Sequence, residues 1–250
     1  QVAKSFGLAK IADSILEVYC GGDYVLMADT QNLIEMAHVP ENYIIAGPIN
    51  FSLPIAVPAS VTQLSDNRPI VFLSLGSSGP AENLELMIAK LATLPIHLIV
   101  STAGKDLNVD QKFSSFTNVT IEKFLPIDEL AKISDLVICS GGSATAYPCL
   151  NQATPVLAIP SNLDQFQFAQ ARAQKGLGRM LRPEDEIAGT KLVTTVSEML
   201  KDISLQTAAY DFQQELKTYN TAEKFQSLIR SITQHEPSQQ SEISKRQAQF

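Results

Sequence analysis

Small and hydroxyl-bearing residues follow an apolar run near the middle of the chain. The run 136–139, LVIC, is typical of a parallel strand buried on both faces, and a helix is predicted after it at 146–152. The residues that join them include Ser140, Gly141, Gly142, Ser143 and Thr145. A glycine turn of this kind leaves backbone N–H groups free at the helix start, where the helix dipole favours an anion. The pattern predicts a phosphate or diphosphate site, and the alternative is a plain helix capped by Ser143 or Thr145.

Pro148 bears on where this helix begins. Proline is tolerated in the first turn of a helix, where its missing N–H has no partner in any case. We therefore expect Thr145 to be the N-cap residue, with an irregular loop before it that is longer than a plain cap needs.

A second glycine-bearing loop, Gly76-Ser77-Ser78-Gly79, follows the apolar run 70–75. Its glycines allow a ligand to approach the backbone closely, and its serine hydroxyls can bond to phosphate or sugar oxygens. The alternative is a tight turn in which Ser78 or Gly79 caps the next helix. The loop matches neither the Walker A spacing nor GxGxxG, so the sequence does not indicate an ATPase or a dehydrogenase.

A carboxylate and a carboxamide stand side by side at Asp164 and Gln165, after the apolar run 155–159. Such a pair can accept and donate hydrogen bonds at adjacent sugar hydroxyls. Ser161 and Asp164 also fit a variant of the capping box, so an ordinary helix start is the alternative.

An aromatic residue and a proline follow another apolar run, at 119–124. This fourth loop comprises Phe124, Leu125, Pro126 and Ile127. Together they can form a shelf for a nucleobase. The alternative places Phe124 in the core and leaves Pro126 to start a helix.

Strand and helix patterns alternate along residues 68–181. Strands are predicted at 70–75, 96–101, 119–124, 136–139 and 155–159. Five strands with intervening helices predict an α/β fold with a doubly wound, Rossmann-like parallel sheet and right-handed crossovers. The carboxyl ends of parallel strands share one sheet edge, so the four loops are expected to converge there. Purely helical patterns fill 189–234.

The chain divides into four predicted segments. Residues 1–46 open with an amphipathic helix and contain two short strand candidates, at 24–27 and 43–46, but are too few for a core of their own. The proline-rich stretch 47–66 is typical of an extended connector that is not itself a packed element. The predicted units are therefore 1–66, a ligand-binding domain 67–204, C-terminal helices 205–234, and a disordered tail 235–250.

The composition narrows the class of protein. Of 250 residues, 45% are apolar and 18% charged, as in a globular α/β protein. A net charge of −7 without any basic run argues against a nucleic-acid partner. Three unclustered cysteines and three isolated histidines indicate neither a metal site nor a disulfide framework. The sequence contains no long apolar run and no cleavage signal, so a cytoplasmic location without a transmembrane segment is expected. The chain does not begin with Met, so we expect it to be a fragment.

Several segments together resemble the C-terminal domain of family-1-type GT-B glycosyltransferases, the relatives of macrolide, sterol and UDP-glucuronosyl transferases. They are FLSLGSSG, EKFLPIDEL, VICSGGSATAYPCLNQATPVLAIPSNLDQ and the helix that ends in KGLG. The similarity covers about residues 68–200. Ala28-Asp29 and the GPI at 47–49 resemble the end of the family's N-terminal acceptor domain.

The resemblance implies that a nucleoside-diphosphate sugar lies across the four loops. The base would pack against Phe124, Leu125, Pro126 and Ile127, and the sugar against Asp164 and Gln165. The diphosphate would lie against Gly76, Ser77, Ser140, Gly141, Gly142, Ser143 and Thr145.

The resemblance also implies a reaction. A hexose would pass from a UDP- or dTDP-sugar to an acceptor hydroxyl of a small molecule or lipid, with inversion and without a metal or other cofactor. The family's catalytic base, a His near the start of the N-terminal domain, has no counterpart here, so a missing N-terminal half or a partner chain would supply it. The alternative is a non-catalytic nucleotide-sugar-binding or scaffold subunit; a nucleotide-sugar epimerase is a third hypothesis.

Two positions depart from the family pattern. Ser140 replaces the usual His before the Gly-Gly pair, and Pro148 stands where some members carry a ribose-binding Glu. A serine brings no positive charge to a diphosphate, and a proline makes no ribose contact. The loss of each contact is expected to weaken donor binding by about 1.5–3 kcal/mol.

Overall fold

The structure is a computed structural model, and it describes residues 7, 20–33, 38–52, 54–64, 66–105, 112–182 and 189–234. The predicted amphipathic helix at the chain start, apart from its neighbourhood at Gly7 and Cys20, lies outside these residues. The predicted disordered tail, 235–250, lies outside them as well.

A six-stranded parallel sheet forms the centre of the molecule. Its strands, from one edge to the other, are β5 (Val119–Glu122), β4 (His97–Ser101), β3 (Ile70–Ser74), β6 (Leu136–Cys139), β7 (Val156–Ala158) and β8 (Gly178–Met180). The chain first builds outward from β3 to β5, then returns to pair β6 with the other side of β3. The order therefore reverses between β3 and β6. The predicted doubly wound parallel sheet is confirmed.

Helices cover both faces of this sheet and extend beyond it. They are α1 (Ala59–Thr62), α2 (Ala81–Leu91), α3 (Ile127–Ile133), α4 (Ser143–Asn151), α5 (Leu163–Gln174), α6 (Lys191–Met199), α7 (Ile203–Leu216) and α8 (Thr221–Gln234). The predicted boundary at 204/205 falls inside α7, and the division of the chain into domains stays a prediction. No helix among the described residues is long and apolar enough to cross a membrane.

Alternate residues of the central strands enter two separate cores. On β3, Val71 and Leu73 pack with α2 and α6, while Phe72 packs with α3 and α4 on the other face. All three side chains are fully buried. Because both faces of the sheet are covered, the interior positions of each central strand are apolar, which is why the strand runs stand out in the sequence.

A small two-stranded parallel sheet precedes the main one. Its strands are β1 (Val25–Met27) and β2 (Tyr43–Ile45), as predicted for these segments. Helix α8 holds this sheet from the side: Thr221 Oγ1 donates to the carbonyl of Pro48 at 3.0 Å, and Lys224 Nζ donates to the carbonyl of Ile45 at 2.9 Å. The first and last parts of the described chain therefore pack together.

Two elements differ from the prediction. The proline-rich connector contains α1, because Pro58 fixes an extended N-cap and Val61 is buried against the sheet. Strand β8 carries no strand signal, since it is three residues long and contains Gly178 and Arg179. Gly178 lies so close to β7 that an added Cβ would stand 2.0 Å from the carbonyl oxygen of Val156, so the pairing requires the residue that strand propensity disfavours.

Candidate functional site

The head of α4 is open to a ligand. Gly142 is the N-cap in extended conformation, with φ −68° and ψ 157°, and no side chain caps the helix. The amides of Thr145 and Ala146 bond to the carbonyl of Gly142, at 3.2 and 3.1 Å. Within the described part of the chain, the amides of Gly142, Ser143 and Ala144 have no hydrogen-bond partner. Three N–H groups therefore remain for an anion, and the predicted cap by Ser143 or Thr145 is wrong.

Pro148 stands at the sixth position of α4 and not in its first turn. The predicted helix start at Thr145 is wrong. Proline removes only one helical hydrogen bond, the one to the carbonyl of Ala144, and a buried nine-residue helix tolerates that loss. Cys149 Sγ donates to the next carbonyl, that of Thr145, at 3.1 Å. The helix therefore begins three residues earlier than the placement of the proline suggests, with Gly142 and not Thr145 as its N-cap.

Gly141 turns the chain from β6 into this helix. Its φ is +88°, a conformation that favours glycine, and an added Cβ would stand 2.9 Å from Cβ of Ala158. Its amide donates to Cys139 Sγ at 3.3 Å, and its carbonyl accepts from Nη2 of Arg172 at 2.9 Å. Both polar groups of Gly141 thus face protein, while the amides after it face the open side.

The loop after β3 lies on the other side of the reversal in strand order. Ser77 and Ser78 are exposed there, and Pro80 is the N-cap of α2, without a side-chain cap. The alternative in which Ser78 or Gly79 caps that helix is therefore wrong. Lys105, from the loop after β4, donates through Nζ to the carbonyl of Gly76, and burial lowers the pKa of this lysine.

Gln165 is buried, and both the oxygen and the nitrogen of its carboxamide bond to the protein. Its Oε1 accepts from the amide and the hydroxyl of Ser161, at 2.9 and 3.0 Å, and its Nε2 donates to Ser78 Oγ at 3.0 Å. Asn162, not Ser161, caps α5 by accepting from the Gln165 amide at 3.0 Å. The Ser161–Asp164 capping box is wrong because the helix begins one residue later, with Asn162 as N-cap and Gln165 as the third helical residue. Gln165 consequently ties the loop after β7 to the loop after β3.

Asp164 is exposed and lines a cavity of about 440 Å³ beside the head of α4. Ser143 and the loop after β1, Ala28 and Asp29, line the same cavity. Tyr147 of α4 donates its hydroxyl to Asp29 Oδ1, which also accepts from the amide of Thr30 at 2.8 Å. Burial raises the pKa of the Asp29 carboxyl, and these hydrogen bonds only partly oppose the rise.

Phe124 stands at the edge of the sheet and not in the core. Half of its surface, 50%, is exposed, whereas Leu125 is 3% exposed and belongs to the core. Pro126 is the N-cap of α3. The Phe124 ring rests on Gly104, where an added Cβ would stand 3.1 Å from the ring carbon Cζ. The two residues form an exposed, flat, apolar surface of the kind that a nucleobase requires.

Three further residues belong to this edge although the sequence prediction omitted them: Gly104, Lys105 and Arg172. Gly104 and Lys105 follow strand β4, so a glycine-bearing loop after a predicted strand was the signal that could have found them. Arg172 lies at the far end of α5 and carries no such signal. Among the described residues, no group of three His, Cys, Asp or Glu side chains is arranged to hold a metal ion.

Comparison with known proteins gives a family and a fold. The family described as "Glycosyltransferase family 28 C-terminal domain" matches residues 71–232. A "PGL/p-HBAD biosynthesis glycosyltransferase" of Mycobacterium tuberculosis is 32% identical over 181 residues, which are 72% of this chain and 41% of that protein. The chain thus spans about two fifths of the length of this curated relative.

Two solved structures share the fold. The glycosyltransferase of kitacinnamycin superposes with a TM-score of 0.70 at 19% identity, over 83% of this chain and 54% of that one. The spinosyn rhamnosyltransferase SpnG complexed with thymidine diphosphate superposes with a TM-score of 0.64 at 22% identity, over 82% of this chain and 56% of that one.

Proposed function

Because this chain belongs to the glycosyltransferase family 28 C-terminal domain family, we propose that it binds a nucleoside-diphosphate sugar. In this proposal the chain is the donor-binding half of a GT-B glycosyltransferase. The complete protein transfers a hexose to an acceptor hydroxyl. Residues 1–66 contribute the last part of the acceptor half and the connector to the donor half.

The single observation that carries the proposal is the open helix head beside the reversal in strand order. Strands β3 and β6 are neighbours, but their connections leave in opposite directions, so a crevice opens between the loops that follow them. Three unpaired amides, of Gly142, Ser143 and Ala144, lie on one side of that crevice, and the exposed Ser77 lies on the other. This arrangement suits a diphosphate.

The proposed donor extends from this crevice in two directions. Its base lies on Phe124 and Gly104, and its sugar lies in the cavity beside Asp164. Gln165 is proposed to act indirectly, because its amide already bonds to Ser78 and Ser161. A uridine or thymidine diphosphate is the proposed ligand, and the thymidine diphosphate bound by SpnG supports that class.

The proposed chemistry is an inverting transfer without a metal. As the bond between sugar and diphosphate breaks, negative charge grows on the leaving phosphate oxygen. The amides at the head of α4 already point to this position, so they stabilise that charge without reorganising. A base from the acceptor half removes the proton of the attacking hydroxyl; the proposal places it outside residues 1–250.

Substitution of Ser143 tests the amide contribution directly. Ser143 is the first residue of α4, a position that accepts proline, and Gly142 already has the extended conformation that proline requires before it. Ser143→Pro therefore removes one amide donor and the hydroxyl, while the control Ser143→Ala removes the hydroxyl alone. We expect Ser143→Pro to weaken UDP or dTDP binding about tenfold relative to Ser143→Ala, measured by isothermal titration calorimetry.

Equal affinities of the two variants, at matched melting temperatures, would contradict the diphosphate site. The absence of binding of UDP, dTDP and GDP to the wild-type chain would contradict the proposed function as a whole.

The second candidate function is a non-catalytic nucleotide-sugar-binding subunit. Ser140 favours it, because this residue is 7% exposed and brings no charge to the diphosphate. Transfer of sugar by the full-length protein, assayed with EDTA present, separates the two functions: transfer supports the enzyme, and donor binding without transfer or hydrolysis supports the binding subunit.

A further inference from the structure

Arg172 is a buried cation directly behind the Gly141 turn. It lies on α5 and is 1% exposed, and its guanidinium carbon stands 5.1 Å from the centroid of the Phe168 ring. Nη2 donates to the carbonyl of Gly141 at 2.9 Å, whereas Nε has no hydrogen-bond partner in the part of the chain that the structure describes. Among the described residues, no carboxylate forms an ion pair with it.

The charge of Arg172 is not neutralised by its neighbours. An arginine stays protonated in proteins. The thiols of Cys139 and Cys149 lie nearby, but burial raises the pKa of both, so they remain uncharged at neutral pH. A buried charge without a counter-ion is unfavourable. An anion held in the crevice on the other side of the Gly141 turn would reduce this cost.

We propose that Arg172 is a positioning residue for the diphosphate, holding the Gly141–Gly142 peptide in place and lending the bound anion its positive charge. The inference rests on the proposed function and adds to it the source of charge at that site. Ser140 supplies none, so the cation acts from behind the turn instead of from within the crevice.

The geometry of one peptide group explains how Arg172 acts without touching the ligand. The carbonyl of Gly141 and the amide of Gly142 belong to the same planar peptide, and their polar atoms point in opposite directions. Arg172 bonds to the carbonyl oxygen, so the amide of Gly142 points away from α5, toward the crevice. A charged donor on the oxygen also polarises the peptide and makes its N–H a stronger donor.

A second consequence concerns the shape of the turn. Gly141 has φ +88°, and an added Cβ would stand 3.3 Å from Nη2 of Arg172. The guanidinium thus occupies the space beside Gly141 and bonds to its carbonyl, which fixes the direction of the next three amides.

Two substitutions separate the charge from the hydrogen bond. Arg172→Gln removes the charge and retains an N–H donor, whereas Arg172→Lys retains the charge and loses the planar fork. The matched control is Arg179→Gln, which removes a surface cation that pairs with Glu198 and Asp202. Each variant is titrated with UDP or dTDP and, separately, with the uncharged nucleoside uridine or thymidine, and its melting temperature is recorded.

We expect Arg172→Gln to weaken diphosphate binding about tenfold and to change nucleoside binding less than about twofold. We expect Arg172→Lys to bind the nucleoside diphosphate about threefold more weakly and the nucleoside with unchanged affinity. Arg179→Gln is expected to bind both ligands with wild-type affinity. If Arg172 acted only through packing, its substitution would weaken the binding of both ligands equally. The proposal is overturned by an equal loss for diphosphate and nucleoside in either variant, or by unchanged diphosphate binding in Arg172→Gln.

If Arg172→Gln does not fold, Arg172→Lys tests the proposal. A loss of affinity for the diphosphate alone supports it, and an equal loss for diphosphate and nucleoside overturns it. Failure of the proposed function looks different, because the wild-type chain itself would then bind no nucleoside diphosphate.

Discussion

Gly141 shows, at the scale of one residue, how backbone conformation and packing together exclude a side chain. Its φ of +88° lies in the left-handed region, and its neighbour Ala158 leaves no space for a Cβ. Gly76 has a similar φ of +63° but has no atom within 4 Å of an added Cβ. The two glycines look alike in the sequence, since each follows a strand, yet only Gly141 is constrained twice.

Substitution of these glycines by alanine separates the two constraints. We expect Gly76→Ala to lower the free energy of unfolding by about 1–2 kcal/mol, from backbone strain alone. Gly141→Ala adds a clash with Ala158, so a further loss of about 1–3 kcal/mol is expected. Urea unfolding followed by circular dichroism measures both, and equal losses would show that the turn relaxes to admit the methyl group.

At the scale of elements, helices α4 and α5 begin at the same sheet edge but differ at their heads. At the head of α5, the side chain of Asn162 accepts from the amide of Gln165, and the side chain of Gln165 accepts from the amide of Ser161, just before the helix. The two helix heads therefore differ in their side-chain cap: Asn162 caps α5, whereas among the described residues no side chain caps α4.

Removal of the α5 cap tests this difference. We expect Asn162→Ala to lower the free energy of unfolding by about 1 kcal/mol, because the amide of Gln165 loses its acceptor. The neighbouring Leu163 is 71% exposed, and Leu163→Ala is the matched control with an expected change within about 0.5 kcal/mol. Thermal or urea unfolding measures both variants, and equal stabilities would mean that water replaces the cap without cost.

At the scale of the whole molecule, two hydrogen bonds of the Tyr147 hydroxyl join the loop after β1 to α4, one of them from the amide of Thr30 at 3.2 Å. Tyr147 on α4 donates to Asp29 in the loop after β1, and Leu33 packs into the same buried cluster as Tyr147. The proposed acceptor-side remnant is thus fixed to α4 by polar and apolar contacts. The carboxylate at this junction is partly buried, which makes the junction sensitive to pH.

The raised pKa of Asp29 predicts how stability changes with pH. The folded state binds this proton more tightly than the unfolded state does, so ionisation of Asp29 destabilises the fold. Stability from this group is highest at pH values below the ordinary aspartate pKa of about 3.9 and declines as pH rises through the raised pKa. Asp29→Asn keeps an acceptor for Tyr147 and removes this decline.

Urea unfolding of wild type and Asp29→Asn between pH 3 and 7 measures the effect. We expect the free energy of unfolding of the wild type to fall, relative to the variant, as pH increases across that window. A constant difference between the two proteins would show that Asp29 titrates alike in the folded and unfolded states. Asp66, whose pKa is lowered chiefly by hydrogen bonds from Arg68, acts in the opposite sense and is common to both proteins.

Features that depend on residues close together in the chain could be predicted from the sequence alone. The apolar runs identified β3 to β7, and the glycine-bearing and polar residues after them identified loops that a parallel sheet must bring to one edge. Those loops resemble a glycosyltransferase family, and the resemblance predicted a doubly wound parallel sheet. The observed strand order and the family match confirm this fold and family. The prediction missed strand β8 and misplaced the start of α4. In β8 a glycine, Gly178, and in α4 a proline, Pro148, occupy positions that their intrinsic propensities disfavour but that tertiary packing allows.

The partners of the polar groups at that edge could not be predicted from the sequence, because they depend on long-range contacts. Gln165 bonds to Ser78, 87 residues away, so one of its N–H groups is already engaged by the protein. Arg172 bonds to Gly141, 31 residues away, and Tyr147 bonds to Asp29, 118 residues away. Strand order and the partner of a buried polar group follow from contacts between distant residues. Periodicity and spacing report only on neighbours along the chain, so they predict where the loops meet but not which atoms remain open there.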